Sequence, residues 1–391
     1  MTRIDLGDLR AAPAQVWGGV RLVPLVRERP VEGLRLRHEA YGASHGEVAL
    51  GDGASYTSYV PHGFVADWSG DGGGQAVYGT RLGTDPPERV PVRFHHRMAK
   101  RLRPGHRLRF LPLHLALEGY LALHFGGPSV VWDEWSRRAV REGLSPREEE
   151  AYAGAEVRGL AEALRVFEIH PGQCGVLVYA ADALAAAFVT PHPDDYRALH
   201  PSLVEDLYGE VVHQYALYGA PVADFGARLD DTRIHDLKDL RLAVRAQERA
   251  WREGHDGVLA RGLLDETYAF ERVYWMDGFA LDRFLPPFAR GREQHIGELI
   301  TDRKGRLAYL KTFRLSENQV RRGHLLRRLA DCDWHLGRTA RELGTTYEEL
   351  VRRIRRAGFG ELLDAHGVAV GAREWGTARE AARGPGKTEE T

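Results

Sequence analysis

A histidine followed by two aspartates after an apolar run is metal-hydrolase material. Pro191-His192-Pro193-Asp194-Asp195 follows the apolar run Ala185–Val189 in this 391-residue chain. An imidazole and one carboxylate can hold zinc while a second carboxylate takes a proton from zinc-bound water. His192 and Asp195 are the candidate ligands on that reading. The same residues also make a helix N-terminus, with proline in the first turn and two carboxylates favourable against the helix dipole. The other histidines are scattered. His95 and His96 are neighbours that a strand would point to opposite faces, and His114 and His124 read as packed or exposed singles. The run Gly70-Asp71-Gly72-Gly73-Gly74 offers backbone N–H groups to a phosphate. It lacks the Lys-Ser/Thr of a Walker loop and reads as a hairpin tip. Cys174 opens an apolar strand without a locatable histidine partner, which describes a buried thiol rather than a nucleophile. These residues assign no catalytic group, no enzymatic reaction and no cofactor.

Arginines near the C-terminus suggest different chemistry. Between Ser316 and Gly360 stand ten arginines against six acids, a local net charge of +4 in a chain whose total is -1. The spacing predicts three helices there. Ser316-Glu317 opens a helix carrying Val320, Leu325, Leu326 and Leu329. A second begins near His335 and carries Leu336, Ala340 and Leu343 on one face, with Gly344 at the position where a left-handed residue ends a helix. Thr345-Thr346 then offers a hydroxyl cap to a third helix with Leu350, Ile354 and Ala357 inward. Two short helices around a glycine turn are the helix-turn-helix layout, whose second helix enters the major groove. Arg352, Arg353 and Arg356 are the candidates for groove or phosphate contact, Thr346 and Tyr347 start the recognition helix, and Arg338 and Arg341 lie towards the backbone. Glu348 and Glu349 oppose this, since carboxylates near phosphates are repelled unless they accept from cytosine amino groups. The competing reading is a small helical bundle used for dimerisation, its arginines solvated.

Three resemblances accompany these motifs. Arg338-Thr339-Ala340-Arg341-Glu342-Leu343-Gly344 with Leu350, Arg352-Arg353-Ile354 and Gly358 resembles the Fis-type helix-turn-helix that ends many bacterial enhancer-binding regulators. It implies DNA as partner and a homodimer, with Ser316–Cys332 as the dimerising helix. His170-Pro171-Gly172-Gln173-Cys174-Gly175-Val176, Phe188, Pro193–Tyr196 and the strands at Trp17–Val26 resemble the ARG and rhodanese-phosphatase-superfamily-associated protein domain. That resemblance implies an α+β domain and a nucleotide-like small ligand, and it supplies no reaction. Pro191–Asp195 is similar to the metal motif of the LmbE-like zinc N-deacetylases. The family's Glu after the second Asp is Tyr196 here, residues 1–190 precede the motif, and His200 and His213 make no His-x-x-His.

The elements that must position these residues give an α+β chain. A β-rich N-terminal domain with helices is expected over 1–220, with strands at Val20–Val26, Ala54–Trp68 and Arg109–His124. Helices are expected over Trp132–Phe167 and Asp194–Tyr218, with a kink at Pro201. Between them lies a hairpin of Cys174–Tyr179 with Leu184–Val189. Residues 221–315 read as a charged helix, Asp236–Leu264, and a small bridging sheet: Thr267–Trp275, Glu298–Thr301 and Leu307–Phe313. The all-α helix-turn-helix occupies 316–363, and 371–391 read as a disordered tail. Hydrophobic residues at 43% suffice for a packed core. The near-zero net charge excludes a protein basic over its whole surface. Two cysteines cannot form a disulfide framework and fit a reducing cytoplasm. No apolar run is long enough to cross a membrane. The function expected is a DNA-binding bacterial regulator under control of a sensing domain. The alternative is a nucleotide- or ADP-ribose-linked protein or enzyme whose terminal helices only mediate assembly.

Overall fold

The computed structural model describes residues 3–34, 167–204, 209–223, 228–276 and 278–363, and the backbone of strands between residues 46 and 110. The glycine run 70–74, His95-His96, His114, His124, the expected helices up to residue 166 and the tail 371–391 lie outside the described residues.

One antiparallel sheet organises the rest. Its strands are β1 (Leu9–Ala11), β2 (Gln15–Trp17), β3 (Val20–Arg27), β10 (Gln173–Ala180), β11 (Ala183–Val189), β12 (Ala269–Met276), β13 (Phe279–Leu285), β14 (His295–Asp302) and β15 (Leu307–Arg314). The order is β1-β3-β10-β11-β15-β14-β13-β12, with β2 also on β3. A second, six-stranded sheet holds β4 (Gly46–Leu50), β5 (Ala54–Tyr59), β6 (His62–Asp67), β7 (Gln75–Tyr78), β8 (Val90–Pro91) and β9 (Leu108–Phe110).

The chain is thus mixed α+β, as expected, and is built on a large antiparallel sheet. The bridging sheet, however, is not a separate small one. β11 pairs with β15 from Ala186↔Phe313 to Val189↔Leu310, so the strands after residue 268 extend the N-terminal strands. The boundary expected at 220 falls within one sheet.

Both faces of that sheet are covered. Val176, Val178, Ala186 and Phe188 belong to one apolar cluster, while Leu177, Tyr179, Ala187 and Val189 belong to another. The period of two sends alternate residues to opposite faces. That is why β3 and β15 read as near-continuous apolar runs instead of alternating ones. The β10–β11 turn is tight, with Ala181 and Asp182 at φ 49° and 60°, the left-handed pair that a two-residue hairpin needs. Asp182 accepts from the buried Arg21 at 2.9 Å, which also donates to Ala223 O at 2.6 Å.

Helices α1 (Pro193–Ser202) and α2 (Gly209–Leu217) follow β11 and lie within the stretch expected to be helical over 194–218. Helix α3 (Leu237–Gly254), capped by Asp236, passes through a π-turn at His255–Leu259 into the short α4 (Arg261–Leu264). The expected break near Gly254–Gly257 is this turn. The terminal helices are α5 (Glu317–Asp331), α6 (Leu336–Glu342) and α7 (Tyr347–Arg356). Val320, Leu326, Leu329, Trp334, Leu350, Ile354, Phe359 and Leu362 share one cluster with Phe188, Tyr309 and Phe313 of the sheet. The terminal helices are therefore built onto the sheet. No helix among the described residues is long and apolar enough to cross a membrane.

Close backbone approach fixes the β14–β15 register. A Cβ on Gly297 would sit 1.9 Å from the Lys311 carbonyl oxygen, whereas one on Gly254 would meet nothing within 4 Å. Backbone cannot move aside as a side chain can. Gly297→Ala is expected to cost about 3 kcal/mol or more, and Gly254→Ala to be neutral or stabilising by up to about 1 kcal/mol. Urea midpoints for the two variants check this pair.

Candidate nucleic-acid interface and buried polar sites

The terminal helices begin with a local cap. Ser316 accepts from Gln319 N at 3.3 Å while Gln319 Oε1 accepts from Ser316 N at 2.9 Å, a complete capping box. Each helix then ends in the same device, with paired hydrogen bonds back into the last turn around a left-handed residue. After α5, Trp334 N donates to Leu329 O at 2.7 Å and Asp333 N to Ala330 O at 3.0 Å. After α6, Thr345 N donates to Ala340 O at 2.9 Å and Gly344 N to Arg341 O at 3.1 Å. After α7, Phe359 N donates to Ile354 O and Gly358 N to Arg355 O, both at 3.0 Å. These are Schellman endings, with φ of 50° at Asp333, 58° at Gly344 and 82° at Gly358. Thr346 accepts from Glu349 N at 3.2 Å and caps α7 as its hydroxyl predicts.

The inner face of α7 buries Leu350 and Ile354 completely, worth roughly 1.5–3 kcal/mol for each side chain. Its outer face carries Tyr347, which is 52% exposed, with Glu348, Arg352, Arg353, Arg355 and Arg356. Glu349 is half-buried and turned along the helix, 2.6 Å from Arg352 and 3.3 Å from Arg353. One of the two opposing carboxylates is thereby neutralised. On α6, Arg338 pairs with Asp333 at 2.9 Å and Arg341 donates to Gly337 O at 3.3 Å. Arg341, Arg355 and Arg356 form no ion pair among the described residues. Arg355 was not singled out from the sequence, although its place beside Arg356 on a polar face was signal enough.

His192 and Asp195 stand at the start of α1. His192 Nδ1 accepts from Asp194 N at 3.1 Å and lies 3.4 Å from the Asp194 carboxylate. Asp195 is fully buried, and His200 Nδ1 lies 2.9 Å from Tyr196 OH. Burial lowers His200 to about 4, against one backbone hydrogen bond that raises it. Among the described residues no three His, Cys, Asp or Glu side chains gather as a metal would need. Cys174 is buried, and burial pushes its thiol up to about 11, as suits a structural cysteine.

Two polar groupings escaped the sequence reading. Across β13–β14–β15 the register sets Arg283, Glu298 and Lys311 side by side, with Phe188 of β11 next in the row. Glu298 and Lys311 are both fully buried. The second grouping surrounds His255 on the π-turn. Its Nε2 lies 2.7 Å from Tyr179 OH and its Nδ1 2.8 Å from Asp256 Oδ1. Trp251 stacks on the ring at 5.1 Å. The carboxylate accepts from Nδ1–H; in the neutral imidazole Nε2 then accepts from the phenol, and the three form a carboxylate–imidazole–phenol chain. Burial and the nearby Asp256 charge push the Tyr179 phenol above its ordinary value. A cavity of about 300 Å³ opens beside this chain.

The fold and sites define a mixed α+β protein with a helical C-terminal platform. The ARPP-2 family model matches residues 4–277, and the chain belongs to that family. The match takes in β1–β12, the cavity and the His255 chain, and stops before the terminal helices. No curated protein and no solved structure matches the chain.

Burial lowers Lys311 to about 7, with the Glu298 charge acting the other way. An unfolded lysine titrates near 10.4. Above pH 7 the unfolded chain thus holds one more proton than the folded one, and stability rises with pH. Below pH 7 the cost of burying the cation is fully present. Between about pH 7 and 9.5, Lys311 is expected to contribute a slope of up to about 1.4 kcal/mol per pH unit. Lys311→Met should flatten that slope in urea titrations.

Proposed function

We propose that the protein is a DNA-binding regulator of bacterial type. On this reading α6 and α7 form a Fis-type helix-turn-helix, and the ARPP-2 part is the sensing or interaction domain. The observation that carries the reading is the rigid α6–α7 turn with Arg341, Arg352, Arg353, Arg355 and Arg356 on its solvent side. In such a module the start of the second helix meets base edges and its flanks meet phosphates. Tyr347 and Glu348 are then the base-reading positions, with Glu348 accepting from a cytosine amino group. Arg341, Arg355 and Arg356 take phosphates, and Arg352 and Arg353 exchange Glu349 for them. A homodimer in the cytoplasm would place two such modules on successive major grooves.

A second reading has a specific observation behind it. The terminal helices share their core with the sheet, as helices that serve assembly would. There the ARPP-2 part acts on a nucleotide-like ligand and no DNA is bound.

Because of that shared core, the test uses the full chain. Binding to mixed genomic DNA across a salt series should be salt-dependent. Each phosphate contact adds about 0.9 to the slope of log K against log salt, so Arg355→Glu with Arg356→Glu should lower that slope by roughly 2 and weaken all sequences alike. Glu348→Ala should instead change sequence preference. Salt-independent or undetectable binding would sink the DNA reading in favour of assembly.

A further inference from the structure

We propose that the cavity beside His255 is a binding site for a small organic anion that also carries a hydroxyl or amine donor. The cavity lies between the N-terminal strap and the π-turn. Leu6, Leu9, Leu25 and Leu264 give it apolar walls, while Arg252, His255 and Asp256 bring polar groups to it. Its residues come from positions 4–11, 25 and 252–264, all inside the family match.

The strap is held in place by charge. Arg27, buried on β3, pairs with Asp8 and donates to Leu307 O at 2.6 Å. Arg3 reaches Asp265 at 3.9 Å, and Gly7 N donates to Asp5 Oδ1 at 2.8 Å. The roof is thus tied to both the sheet and α4. The π-turn is a local widening of the helix of the kind often found at functional sites. It places His255 inward while Arg252, three residues earlier, faces the same space. Trp251 and Tyr179 clamp the imidazole on its face and edge, at 5.1 Å and 5.7 Å.

The chemistry of the ligand follows from two groups. Arg252 Nε is buried, and no acceptor for it is found among the described residues. Arg252 also lines the cavity, so an anion there would meet a guanidinium able to give it charge-assisted hydrogen bonds. A carboxylate and a phosphate present the same acceptor edge. Asp256 has one oxygen committed to His255, and its side chain is 47% exposed. The free oxygen accepts, and it repels a second anionic group. The occupant therefore carries its charge at one end, a donor at the other and an apolar body between. A volume of about 300 Å³ is at the small end of ligand cavities, which excludes a large polyanion. This site stands whether or not the terminal helices bind DNA.

Calorimetry on the full chain would use benzoate, 4-hydroxybenzoate, phenyl phosphate and inorganic phosphate. The aromatic anions should bind saturably, and 4-hydroxybenzoate more tightly than benzoate. The benzoate to phenyl phosphate ratio separates carboxylate from phosphate as the preferred head. Arg252→Met should weaken binding by about tenfold or more, with Arg252→Lys in between. Asp256→Asn should erase the advantage of the hydroxyl. Thermal midpoints of each variant, read without ligand, separate lost binding from lost folding. No binding of any probe at about 10 mM, or equal binding to a folded Arg252→Met variant, would overturn the proposal.

Discussion

The four-residue ladder between β11 and β15 is the constraint on which the other elements depend. Two sheet halves meet there, and residues 190–268 separate them in sequence. Closing so long a loop costs chain entropy that grows only slowly with its length, and the apolar pairs on both faces offset it. Phe313 opposite Ala186 feeds the helix-covered core, whereas Leu310 opposite Val189 feeds the other. If this ladder were lost, α5 would have no floor and α3–α4 no wall. The terminal helices and the cavity are two consequences of the same pairing.

The helices gain their rigidity from their ends more than from their lengths. α6 has only seven residues, too few to be stable in water by propensity. It persists because its inward Thr339 and Ala340 are buried and because both flanking turns are closed by paired hydrogen bonds. The left-handed residues at the joints are Asp333, Trp334 and Gly344. The first two carry side chains there, at a cost of roughly 1–2 kcal/mol each. Burial of Trp334 in the main core and the Arg338 pair on Asp333 offset that cost. The basic face is thus held on a fixed surface, and its +4 is concealed in a near-neutral total by acids elsewhere.

Where one signal dominated locally, the sequence was readable. Val20–Val26, the β10–β11 hairpin and the caps at Ser316 and Thr346 follow from apolar runs and short-range hydrogen bonding. β13 was not seen, because Asp282 and Arg283 interrupt its pattern. Asp282 is held by Arg272 on the neighbouring strand at 2.5 Å and 3.1 Å, a long-range fact that periodicity cannot carry. β14 starts at His295 rather than at Glu298 because the buried polar residues His295 and Glu298 do not look like core. Lys311 falls inside the expected strand Leu307–Phe313, and no local pattern signals its burial. The cavity was beyond reach of any local pattern, since a strap, a strand and a helical turn must first be brought together.

The placement of the polar groups separates two kinds of burial. Lys311, Glu298 and Arg283 lie in one cross-strand row on the helix-covered face, where opposite charges alternate. Such a row contributes little net stability, because desolvation cancels most of the attraction. It does penalise a one-residue slip, which would turn the charges into the opposite apolar layer. The His255 chain differs because it runs from the buried Tyr179 outward to a half-exposed carboxylate. A group that serves only to fix register needs no route to solvent, whereas one that meets a ligand does. Of the two buried polar groupings, the family-matched one at His255 is therefore built for encounter, and the row beneath the helices for alignment.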